Sequence, residues 1–165
     1  MDKILAASTH LIYDTTTGGF PTTRKINLGG TVTTTDNLFS LKVTSILSPD
    51  TSTARGFSFS IGQKHHRVKY SFDYRFVPDV EGETAVMNLC GYEGAIQRFT
   101  ITMTPEWQTY SGLDNRPNYS STFYAFTFYR SSKTFPLGTF YIRNFKLESF
   151  PWVYNIGGKP LTVSV

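Results

Sequence analysis

Few side chains in this chain can do covalent chemistry, and they are poorly placed for it. Five glutamates are present; Glu81 and Glu83 share a turn-like run with Asp79, and Glu106 opens a strand-like segment. Cleaving a glycosidic bond needs two carboxylates facing each other across a cleft, one with a raised pKa. Solvated turn acids do not supply that pair. The single cysteine, Cys90, sits in an apolar strand-like run, where a thiol is inert. No Gly-x-Ser-x-Gly elbow occurs. His65 and His66 are adjacent, so on a strand they point to opposite faces and cannot share a metal. Gly29-Gly30 and Gly157-Gly158 lack the spacing of a phosphate loop. What remains is recognition chemistry. From Val68 to Val77 the residues alternate, with Tyr70, Phe72, Tyr74 and Phe76 on one side and Lys69, Ser71, Asp73 and Arg75 on the other. If the aromatic side is core, Asp73 and Arg75 face outward. Asn88, Tyr92, Thr127 and Tyr129 on neighbouring strands are expected to share that face. The set joins phenol rings, a guanidinium, a carboxylate, an amide and a hydroxyl. Rings of that kind stack on a flat ligand, and the polar groups discriminate against ligands that leave them unpaired. The plainer alternative is a solvated sheet face with an Asp73–Arg75 ion pair. Trp107 and Trp152 are read as packing residues, the first capping the core and the second plugging one end of it.

The elements that must position these residues are strands. Leu38–Ile46, Ala54–Ile61, Val68–Val77, Ala85–Tyr92, Gln97–Thr104, Glu106–Ser111, Thr122–Arg130 and Thr139–Glu148 are short runs rich in β-branched and aromatic residues, separated by turn signals. Thr122–Arg130 is apolar on both faces, the mark of a central strand. Leu113–Tyr119 reads as a polar loop. Short strands are also expected at His10–Tyr13 and Leu161–Val165. No amphipathic helix and no repeat period is visible. The expected fold is all-β, a sandwich or barrel of antiparallel strands. Residues 1–37 are Thr- and Gly-rich and read as an N-terminal arm or lead-in strand, with residues 38–165 forming the sandwich and a short tail.

Composition removes several classes. The chain has 165 residues, a formal charge of +4, 17% charged residues and 14 Phe, 10 Tyr and 2 Trp. So many aromatics with so little charge exclude disorder, and one cysteine excludes a disulfide scaffold. No apolar run approaches the roughly 18 residues of a membrane span. Lys and Arg are scattered, densest at residues 64–69, without the basic stripe of a nucleic-acid module. The first residues, Met1 to Ala7, lack a signal-peptide core, and synthesis in a cytoplasm is expected.

Four segments in order carry a resemblance: Ser40-Leu41-Lys42-Val43-Thr44, Tyr70-Ser71-Phe72-Asp73-Tyr74, Thr104-Pro105-Glu106-Trp107-Gln108-Thr109-Tyr110-Ser111, and Gly138 through Glu148. Over about residues 38–152 the chain resembles jelly-roll carbohydrate-binding modules of the family 4/9 type. Its ending, Lys146-Leu147-Glu148 followed by Pro151-Trp152, looks like modules of bacteriophage tail, baseplate and fibre proteins. The resemblance implies a jelly-roll β-sandwich of two antiparallel sheets. It also implies non-catalytic adhesion of a phage particle to host cell-surface polysaccharide, with Asp73, Arg75, Asn88, Tyr92, Thr127 and Tyr129 on the concave face. The expected setting is a virion, with other virion proteins or a second copy of the chain as further partners. The alternative is a capsid or tail decoration protein that uses the same fold for assembly. The family's last strand carries two acidic or amide residues that help hold a structural calcium. Here Arg143 and Asn144 take those positions, so no cofactor is expected.

Overall fold

The computed structural model describes residues 10–47, 55–60, 68–89, 99–114, 123–128, 136–149, 152–156 and 159–163. Among them run thirteen strands and one single-turn helix. The strands are β1 (His10–Asp14), β2 (Thr23–Ile26), β3 (Leu28–Thr35), β4 (Leu38–Ile46), β5 (Arg55–Ser60), β6 (Val68–Pro78), β7 (Ala85–Leu89), β8 (Phe99–Met103), β9 (Gln108–Asp114), β10 (Phe123–Phe128), β11 (Gly138–Ser149), β12 (Trp152–Ile156) and β13 (Lys159–Val163); the helix is α1 (Thr15–Gly18). One sheet runs β3-β4-β11-β6-β9 with β1 also paired to β11; the second runs β2-β5-β10-β7-β8; β12 and β13 form a hairpin. Every described pairing is antiparallel.

The core lies between the two sheets. From the first come Phe39, Leu41 and Val43, then Tyr70, Phe72, Tyr74 and Phe76, then Phe140, Ile142, Phe145 and Leu147; from the second come Phe57, Phe59, Ala85, Met87, Ile101 and Met103. The period-two pattern read from β6 is therefore the core pattern, and β10 is the middle strand of its sheet as its two apolar faces implied. Rings interlock across the gap. Phe39 stands 4.9 Å from Phe57 and 5.0 Å from Phe59, and Phe145 stands 5.5 Å from Phe59. Burying each such ring contributes about 1.5–3 kcal/mol.

The Thr- and Gly-rich start, expected as an arm or lead-in strand, is woven into both sheets from residue 10 on. β1 pairs with β11, β2 with β5 and β3 with β4. Its strands were hard to read because they are polar and lie at sheet edges. β3 has only Leu28 fully buried, and β2 is intermediate or exposed throughout. A bulge between Gly29 and Gly30 lets β3 follow β4. Gly30 has φ 141, and a Cβ there would lie 1.9 Å from the Lys42 carbonyl oxygen, so no other residue fits. β9 also runs further than expected, through Asp114 into the segment read as a loop.

Strand β11 holds the first sheet together. β6 flanks it on one side. On the other side β4 covers Gly138–Arg143, and β1 covers Lys146–Ser149. At the changeover Asn144 takes φ 53, and one extra residue enters β11 opposite β6. This bulge keeps the alternation in phase. Ile142 and Phe145 both point into the core at 0% exposure, which an unbroken strand would not allow.

Candidate functional site

The outer face of the first sheet carries the most developed polar constellation among the described residues. Register fixes two rows across β11, β6 and β9. Tyr141 opposes Arg75, and Trp107 lies beside Arg75, just before β9 begins; in the next row Arg143 opposes Asp73, which opposes Thr109. The Arg75 guanidinium carbon lies 4.7 Å from the Trp107 ring centre and 4.6 Å from the Tyr141 ring centre. The two rings meet edge to face at 6.4 Å, so they roof Arg75 together. The Arg143 guanidinium lies 4.0 Å from the Trp107 ring centre. Such contacts between a cation and a ring are worth roughly 0.5–2 kcal/mol each.

Asp73 is the anchor of the second row. It accepts from Thr109 Oγ1 at 2.8 Å, Asn144 Nδ2 at 2.7 Å and Arg143 Nε at 3.2 Å. Its partner is thus Arg143, one strand over, and the Asp73–Arg75 pair of the plainer reading does not form. Burial pushes the Asp73 carboxyl up, but the hydrogen bonds from Thr109, Asn144 and Arg143, with the Arg143 charge, outweigh it and hold the pKa below the usual value. A carboxyl depressed in the folded state adds stability above its unfolded pKa of about 4, and that stability is lost as pH falls through the folded value. Asp73→Asn is therefore expected to destabilise the fold at pH 7 and to converge on the parent below about pH 4. Urea unfolding of both proteins at pH 7 and pH 3 checks this; an unchanged gap would remove Asp73 as the acid-sensitive group.

Behind this cluster a polar seam closes the join between β1 and β4. Asn37 Oδ1 accepts from the Asn144 backbone N–H at 2.9 Å and from Thr15 Oγ1 at 2.6 Å. Thr15 Oγ1 in turn accepts from the Phe145 backbone N–H at 3.0 Å. Asn37 Nδ2 donates to Asn144 Oδ1. The residues here do not fit a calcium ion, which takes six to eight oxygens. Arg143 sets a cation on Asp73, the Asn144 side-chain oxygen is already taken by Asn37, and among the described residues no three His, Cys, Asp or Glu side chains converge.

Of the residues read from sequence, Asp73 and Arg75 lie on this face as expected. Asn88 and Thr127 do not join them. They pair with each other on β7 and β10 in the second sheet, because β6 has β11 and β9 as its neighbours. Tyr92, Tyr129 and Cys90 lie outside the described residues, as does the side chain of Trp152. Trp107 does not cap the core but lies on the outer face against two guanidiniums. Tyr141, Thr109 and Asn37 were missed, and Arg143 and Asn144 were read only as departures from a calcium site. The outward phase of Tyr141 and Arg143, alternating with Phe140 and Ile142, was the available signal. On the second sheet β5 is buried on both sides. Ser58, opposite in phase to Phe57 and Phe59, is 0% exposed, so a ligand cannot reach it without rearrangement.

The described architecture is that of jelly-roll carbohydrate-binding modules. It is similar to the CBM22-1 xylan-binding domain of Paenibacillus barcinonensis Xyn10C, with TM-score 0.54 and 13% identity over 88% of this chain and 97% of that one. It is also similar to BiXyn10A CBM1, with TM-score 0.51 and 14% identity over 84% of this chain and 97% of that one. At such identities the likeness is one of fold. No protein-family model and no curated protein matches the sequence.

Proposed function

We propose that the protein is a non-catalytic module that binds polysaccharide on the outer face of its first sheet. The observation that carries this reading is the Trp107–Tyr141–Arg75–Arg143 cluster, set beside a hydrogen-bonded Asp73. Aromatic edges and faces suit the C–H side of a pyranose, and fixed guanidiniums and amides suit its oxygens. The fold likeness to a xylan-binding domain supports the class of ligand. The phage-like ending of β11 and the Pro151-Trp152 segment support a narrower setting, a virion that uses the module to hold host cell-surface polysaccharide. Many copies on one particle would multiply a weak single-site affinity.

Affinity electrophoresis against soluble plant and bacterial polysaccharides, with sedimentation on intact bacterial cells, tests the proposal. Retardation by at least one polymer, without release of new reducing ends, is the expected result. Correctly folded protein that is retarded by no polymer and sediments with no cell would overturn it.

A further inference from the structure

We infer that the polymer is acidic, and that Arg75 takes a sugar carboxylate; this rests on the polysaccharide-binding reading above. Most charges flanking Arg75 on this face are already matched. Lys42 pairs with Asp79, Arg143 with Asp73 and Lys146 with Glu148. Asp73 is further occupied by Thr109 and Asn144. Arg75 has no carboxylate and no hydrogen-bond acceptor among the described residues, and its Nε is buried without a partner. The Trp107 and Tyr141 rings lie over its guanidinium carbon at 4.7 and 4.6 Å. A held guanidinium with open terminal nitrogens presents two parallel donors. That fork matches the two oxygens of a carboxylate, and charge-assisted bonds of this kind are about twice as strong as neutral ones. With Nε sealed, the end-on approach to the terminal nitrogens is the one left. A neutral sugar would leave the charge unmatched. A uronate would match it while its ring lay beside Trp107 or Tyr141. The chain's net charge of +4 favours the same sign of ligand at longer range.

The test is titration calorimetry of the full chain at about 0.15 M salt, where surface charges beyond about 8 Å are screened. The probes are polygalacturonate, alginate and hyaluronate, each beside the same polymer with its carboxyls reduced to alcohols, plus neutral xylan and mixed-linkage glucan. At least one acidic polymer is expected to bind tenfold or more tighter than its reduced form. That preference is expected to vanish in Arg75→Gln and to return only partly in Arg75→Lys, which keeps the charge without the fork. Lys69→Gln, an exposed charge on the same strand, is expected to leave it intact. Equal binding of acidic and reduced polymers, or binding of neutral polymers alone, overturns the acidic assignment and leaves the polysaccharide reading standing. A preference that survives Arg75→Gln removes Arg75 from the role. Binding of no polymer in either set overturns the acidic assignment, and together with no sedimentation on intact cells it overturns both readings. The comparison of acidic and reduced polymers uses the parent protein, so it holds even if a variant fails to fold.

Discussion

Replacing Phe39 with alanine is expected to cost about 3–5 kcal/mol of stability. Phe39 is 0% exposed and sits on β4 at the meeting of the two sheets. Its ring touches Phe20 at 5.9 Å, Phe57 at 4.9 Å and Phe59 at 5.0 Å. Phe57 and Phe59 belong to β5, which is paired on both edges by β2 and β10. A strand held on both sides cannot slide inward to fill the void, so the cavity term adds to the lost burial. A domain of this size is stable by about 5–15 kcal/mol, so the variant gives up a large share of its margin. Phe39→Leu keeps most of the volume and is expected to cost about 1.5 kcal/mol or less. Urea unfolding of the three proteins measures both numbers. A loss below about 1 kcal/mol for the alanine variant would mean that the sheets do not meet at this ring.

Trp107→Ala is expected to weaken polysaccharide binding at least tenfold while the protein stays folded. The side chain is half-buried on the outer face, outside the core cluster, so its removal leaves no internal cavity. It does release Arg75 and Arg143 together, since both guanidiniums lie over its ring. Two held side chains regain rotamer freedom that binding must remove again, at about 0.5–1.5 kcal/mol each, and the ring's own stacking surface is lost as well. Trp107→Phe is expected to keep part of the affinity. Tyr92→Ala and Tyr129→Ala, which test the residues first assigned to a common face with Asp73, are expected to bind as the parent does. Binding kept in Trp107→Ala would move the ligand away from the Trp107–Arg75 cluster. Calorimetry paired with near-ultraviolet circular dichroism separates loss of affinity from loss of fold.

Strong alternation was legible in the sequence, and sheet membership was not. The β6 pattern of Tyr70, Phe72, Tyr74 and Phe76 fixed its inner face, and with it the outward phase of Asp73 and Arg75. The same logic failed for Asn88 and Thr127 because it assumed that strands close in sequence lie side by side. In this topology the chain leaves β6 for β7 in the opposite sheet and returns only at β9. Trp107 was misjudged for a related reason. Its place after Pro105 suggested an end-cap, but the β6–β9 register sets it beside Arg75. β2 and β3 escaped notice because edge strands bury little and so carry weak periodicity. The Asn144 bulge leaves no mark in composition at all. It shows only when Ile142 and Phe145 must both face inward.

The split partnership of β11 also has a mechanical meaning. His10 pairs with Ser149 and Asp14 with Lys146, so the beginning of β1 and the end of β11 lie at the same end of their ladder. Tension between the chain beyond residue 10 and the chain beyond residue 149 therefore loads one pair at a time, peeling β1 as a zipper. An antiparallel ladder loaded in that direction yields at low force, whereas one pulled along its strands must break many bonds at once. The peel would run inward to the Asn37–Thr15–Asn144 seam, beyond which β4 takes over as partner. Arg75, Trp107 and Tyr141 lie on the β4 side of that stop, so a pull on these flanks would spend itself before reaching them.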